Sequence, residues 1–186
     1  MASSSIHLAV SKLYLEKSNI IHNKEKVLQG TLYPDTVENK AISHFTDKDR
    51  GKDIISHLQG KVNLYNFLLQ NPTLSDFEFG WFIHLVTDYL FFDECFSKEY
   101  LLTHTYQEFC KDLYFSYDCL NEYIINKYGI TLEDYTIYLN EYFPGKAYQD
   151  CLFSKDMLDN FIVRVASIDF ERYIKEIKLH KRNIKP

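Results

Sequence analysis

Residues 80–94 read GWFIHLVTDYLFFDE. Trp81, Phe82, Ile83, Leu85, Val86, Tyr89, Leu90, Phe91 and Phe92 leave no continuous polar face, so a helix here is apolar nearly all round. Such a helix belongs at the centre of a domain. Two polar side chains interrupt it, His84 and Asp88, four residues apart. On a helix that spacing is an offset of about 40° and one turn, so both point the same way. A buried carboxylate is costly unless it is paired, protonated or bound to a cation. The pair is therefore either a His–Asp hydrogen bond joining two helices or part of a metal site.

Outward from this run the chain reads as helices. Thr73 or Ser75 caps the central one, with Asp76 and Glu78 favourable at its N-terminal dipole end. Upstream, Ser5 caps a first helix carrying Leu8, Ala9, Leu13 and Leu15. Residues 29–51, with Gly30 and Pro34, read as a turn-rich segment. A helix is expected from about Gly51 to Gln70, with Ile54, Leu58, Val62, Tyr65 and Leu69 at helical spacing. Downstream, residues 100–129 read as one helix stopping at Gly129. Another begins at Thr131 and ends before Pro144, and a long basic one spans about Lys155 to Lys181. No strand alternation, repeat or low-complexity linker is visible. The expected fold is all-α, a single helical domain over residues 1–186.

Composition narrows the function. At 186 residues the chain can bury a sizeable core, and 46 % apolar and 16 % aromatic residues exclude a disordered chain. A net charge of -5 argues against a general nucleic-acid binder. Nothing approaches the roughly 18 apolar residues of a membrane span. The opening MASSSIHLAVSKLYLEK lacks the basic start of a signal peptide, and Cys95, Cys110, Cys119 and Cys151 show no CxxC spacing. The expectation is a cytoplasmic protein with reduced thiols.

The polar pair has company. His104 and Glu108 repeat the four-residue spacing in LLTHTYQEFC. Two helices that each present an imidazole over a carboxylate are a way for bundles to build metal sites, and this donor set suits zinc, iron or manganese. His7, Asp35 (stiffened by Pro34) and His44 complete the candidates.

In order, an early His, a PD turn, an SHF, an HxxxD and an HxxxE resemble the zinc-dependent phospholipase C family, whose fold is shared with P1-type nucleases. The resemblance covers roughly residues 7 to 108. It implies an all-α domain with two or three zinc ions in a cleft. His84 and Asp88 match the family's HxxxD, whose aspartate bridges two metals. Asp35 and His44 match the ligands that complete that first site, and His104 and Glu108 match ligands of another. His7 matches the early histidine of a third. The family's N-terminal tryptophan ligand is absent. Its histidine six residues after the HxxxD aspartate is replaced by Glu94, with Asp93 beside it as the other candidate ligand. His22, His57 and His180 match nothing in the family.

The resemblance implies a metal-dependent phosphoester hydrolase acting on a soluble phosphoester or a phospholipid head group, with Asp35 both ligand and proton acceptor. The alternatives are a non-enzymatic helical metal-binding domain and a P1-type nuclease. Six Lys/Arg in the last fifteen residues suit a solvated helix end or peripheral contact with an anionic membrane.

Overall fold

In the computed structural model, which describes residues 2–19, 23–48, 51, 53–131 and 151–186, the chain is helical, with no strand among those residues. The helices are α1 (Ser4–Lys17), α2 (Lys24–Thr36), α3 (Lys40–Ser43), α4 (Ile54–Gln59) and α5 (Leu64–Gln70). They are followed by α6 (Asp76–Glu94), α7 (Lys98–Thr103), α8 (Tyr106–Lys127), α9 (Lys155–Val165) and α10 (Phe170–His180). None of them is long and apolar enough to cross a membrane. The helix expected from Thr131, and His22, lie outside the described residues.

α6 is the central helix. Phe82, Ile83, Leu85, Val86, Leu90 and Phe91 are fully buried along it, each contributing about 1.5–3 kcal/mol of burial free energy. Ser75 starts it with a capping box: its Oγ accepts from the Glu78 N–H, and the Glu78 carboxylate accepts from the Ser75 N–H at 2.7 Å.

The longer helices read from the sequence are broken, each at a capping residue. Ser3 rather than Ser5 caps α1. Residues 29–36, the start of the segment read as turn-rich, belong to α2, with Pro34 inside its last turn, where only one helical hydrogen bond is lost. The expected helix over 51–70 splits at Gly60 into α4 and α5, the second capped by Asn63. The one over 100–129 splits at His104 and Thr105, and the last splits before Asp169, which caps α10. These polar caps satisfy backbone donors that a continuous helix would satisfy internally, so local capping outcompetes the apolar periodicity.

Among the described residues, α2 and α6 make the most extensive helix pair. Gly30 and Gly80 face the opposite backbone so closely that a Cβ on Gly80 would stand 1.9 Å from the Val27 carbonyl oxygen. A Cβ on Gly30 would meet the Phe77 oxygen at the same distance. This approach brings the last turn of α2 against the middle of α6, and α1 packs on both. The polar residues of the three helices thereby meet.

Candidate metal centre

Five of the sequence-predicted residues converge. His7 comes from α1, Asp35 from the last turn of α2, His44 from the end of α3, and His84 and Asp88 from α6. His7, His84 and Asp88 are 0 % exposed and His44 is 1 %, while the Asp35 side chain retains 11 %. Thus the cluster meets solvent at Asp35.

Local backbone aims each ring. α3 ends in a Schellman turn, with the Phe45 N–H donating to the Ile42 carbonyl and the Thr46 N–H to the Ala41 carbonyl. Phe45 holds the left-handed position (φ 54°) that glycine usually takes, and its ring packs on Phe67 and Trp81. The His44 Nδ1 lies 2.8 Å from the Lys40 carbonyl, and the His84 Nδ1 lies 2.8 Å from the Thr31 carbonyl. Carbonyls accept only, so both Nδ1 atoms carry a proton, and in the neutral rings both Nε2 atoms present lone pairs.

Those lone pairs face each other. The Nε2 atoms of His44 and His84 are 3.0 Å apart. The Asp88 Oδ2 stands 3.3 Å from the first and 3.5 Å from the second, with no hydrogen-bond partner among the described residues. Three electron-rich atoms in one buried triangle repel unless a proton or a cation lies among them. Tetrahedral zinc, with ligands at 2.0–2.2 Å, sets its ligand atoms roughly 3.3–3.6 Å apart. The triangle has nearly those edges. The Asp35 Oδ1 lies 4.0 Å from the His44 Nε2, close enough to supply a fourth ligand.

The other Asp88 oxygen faces a second place. Its Oδ1 accepts the Ala2 N–H at 2.6 Å and lies 3.3 Å from the His7 Nε2. Neither nitrogen of His7 has a hydrogen-bond partner among the described residues, and its ring stacks on His84 at 3.7 Å between centroids. His7, Asp35 and His84 also bring ligand atoms within 4.8 Å of one another. Burial pushes the Asp88 carboxyl up, but His7, His44 and His84 outweigh it and hold the group well below the ordinary carboxylate value. Asp35 is lowered likewise: burial raises it, while His84, His7 and Lys40 pull it down. Both shifts favour the ionised carboxylate, the form in which such a group ligates a cation.

Four candidate ligands are elsewhere. Glu94 pairs with Arg164 and Asp93 with Lys185, at the end of α6 beyond the cluster. His104 and Glu108 do not share a helix: His104 is the extended residue after α7, its ring stacked on Tyr100. Exposed Glu108 closes the capping box of α8, accepting from the Thr105 N–H at 2.8 Å. The resemblance-based second site is therefore not assembled, because a helix start intervenes between its two residues. Glu108→Ala is expected to leave metal content unchanged and to lower the melting temperature slightly. A loss of metal would return Glu108 to the ligand set.

Other contributors were not singled out from sequence. Thr31 and Lys40 act through their carbonyls, which no side-chain pattern announces. Trp81 holds the α3 end by donating its Nε1–H to the Ser43 carbonyl at 2.8 Å. Tyr117 of α8 is buried, and burial first, then the charges of Asp88 and Asp35, keep its hydroxyl protonated far above the usual range. The i, i+4 spacing of Lys40 and His44 is the only sequence signal among these. No protein-family model, curated protein or solved structure matches this chain.

Proposed function

We propose that the chain is a metal-dependent phosphoester hydrolase with zinc, or iron or manganese, held in the His7–Asp35–His44–His84–Asp88 cluster. The observation that carries the metal is the pair of facing imidazole lone pairs 3.0 Å apart, with the Asp88 oxygen unpartnered beside them. Asp35, His44, His84 and the Asp88 Oδ2 would hold one ion. His7 and the Asp88 Oδ1 would supply ligands for a second. Bound zinc supplies Lewis acidity and a water that ionises near pH 7. Asp35 is the ligand closest to solvent, and its ionised oxygen is placed to orient an entering water and accept its proton. The ordered resemblance to zinc-dependent phospholipases C supports a phosphoester as the substrate class.

Burial of four of the five ligands favours a second reading, a metal that only braces α1, α2 and α6. One experiment separates them. Protein purified without chelator is analysed for metals and assayed on bis(p-nitrophenyl) phosphate. The expected result is one to two equivalents of metal, with hydrolysis lost in chelator and restored by zinc. Metal without hydrolysis of this or any phosphomonoester supports the bracing role, and a metal-free protein with an unchanged melting temperature in chelator overturns both readings.

A further inference from the structure

The cluster has one charged side chain at its rim. Lys40 lies at the start of α3 with its Nζ 3.0 Å from the Asp35 Oδ1, and its side chain is 48 % exposed. Among the described residues it is the only lysine or arginine that pairs with a carboxylate of the cluster. The same residue's carbonyl holds the His44 Nδ1. Lys40 thus touches the cluster twice, through its backbone carbonyl and through a half-exposed ammonium at the solvent edge.

The charge balance gives the ammonium a second use. Without metal, two buried carboxylates face a single ammonium, and Lys40 partly neutralises Asp35. When a divalent cation takes up the Asp35 oxygen, the deficit of one charge becomes an excess of one, and a second divalent ion adds two more. The ion pair that restrained Lys40 is then weakened by repulsion from the metal. Its flexible stem is free to carry a strongly hydrated point charge to a ligand at the mouth. A ligand entering at Asp35 must pass within reach of Nζ.

We propose that Lys40 is the anion-binding residue of this site, its ammonium passing from Asp35 to a non-bridging phosphoryl oxygen of the substrate. The substrate class is a phosphate monoester or diester that stays anionic at neutral pH, whether free or on a lipid, and neutral esters are excluded. This rests on the metal reading above. Charge-assisted contacts of this kind are the strong ones, and Lys serves phosphate as a point charge.

The test uses the zinc-loaded full chain with inorganic phosphate as the probe. Lys40→Met removes the charge and keeps the backbone carbonyl that orients His44. Zinc content is expected to be unchanged in the variant and zinc affinity equal or higher, because a competing cation is gone. Phosphate affinity and 1/KM for bis(p-nitrophenyl) phosphate are expected to fall about tenfold or more, with kcat falling less, and Lys40→Arg to recover most of the loss. Comparing this diester with a monomeric short-chain phospholipid shows whether a free or lipid phosphoryl group is preferred, since Lys40→Met weakens both. Undiminished phosphate binding by zinc-loaded Lys40→Met overturns the assignment and leaves Lys40 as the neutraliser of Asp35. So does a wild-type protein that binds zinc but no phosphate, with the metal reading intact. A wild-type protein that binds no metal fails one step earlier and takes the assignment with it.

Discussion

Asp88→Asn is expected to abolish zinc binding and phosphodiester hydrolysis together while leaving the metal-free protein folded. The amide keeps the shape of the carboxylate, and its oxygen still accepts the Ala2 N–H that now meets Oδ1 at 2.6 Å. What it loses is the charge on the atom between the His44 and His84 nitrogens. Outer partners of metal ligands already cost 10–100-fold in affinity when removed, so loss of a ligand itself is expected to exceed about 100-fold. The stability readout differs in size between the two states. In chelator the variant is expected to stay folded and to melt somewhat below the wild type, because His7, His44 and His84 favour the charge on Asp88 that the amide lacks. With zinc at about 100 times its Kd, the wild type gains roughly 2.7 kcal/mol, or about 5–10 °C in melting temperature. The variant gains nothing. Elemental analysis and paired melting curves check this, and undiminished zinc in Asp88→Asn would remove Asp88 from the site.

His84 and Asp88 were legible because both sit inside one long, well-capped helix, where a spacing of four has a single geometric meaning. His104 and Glu108 have the same spacing and a different outcome. Thr105 and Glu108 form a capping box, a helix-start signal lying inside a run read as one unbroken helix. Read that way, the THTYQE stretch announces a break, and a break ends any claim that the two side chains share a face. The all-helical class was legible from periodicity. The helix ends were less so, because Asn63, Thr105 and Asp169 decide them through single side-chain-to-backbone bonds. His44 was legible only as a residue type: its aim depends on a Schellman turn with phenylalanine where glycine is usual, and on the Lys40 carbonyl. Asp35 was expected on a turn after Pro34 and stands in the last turn of α2, since proline within a helix end forfeits little.

The largest effect on the stability of the metal-free protein is expected at a residue that touches no ligand. In an exposed helix Gly→Ala is favourable by about 1 kcal/mol, since alanine loses less backbone entropy. At Gly80 the sign reverses. The added Cβ would lie 1.9 Å from the Val27 carbonyl oxygen, 2.8 Å from its carbon and 3.0 Å from the Thr31 nitrogen, all backbone atoms that no rotamer change can move. α2 and α6 must part by about an ångström, opening the most extensive helix contact among the described residues. Overpacking of this kind costs typically 1–3 kcal/mol and occasionally more, and a rigid backbone contact belongs at the upper end. After the propensity gain, Gly80→Ala is expected to destabilise by about 2 kcal/mol, lowering the melting temperature by roughly 4–8 °C. The same shift reaches the metal centre. The Thr31 carbonyl that fixes His84 is on α2, as is Asp35, while His84 and Asp88 are on α6, so separating the helices lengthens the cluster along its ligand-to-ligand edges. Zinc affinity is therefore expected to fall although no ligand has changed, and Gly30→Ala, which meets the Phe77 oxygen from the opposite side, is expected to act alike. The two substitutions press on one contact, so the double variant costs less than the sum of the singles. If Gly80→Ala melts at or above the wild-type temperature with full zinc affinity, the α2–α6 crossing is looser than described and does not set the geometry of the site.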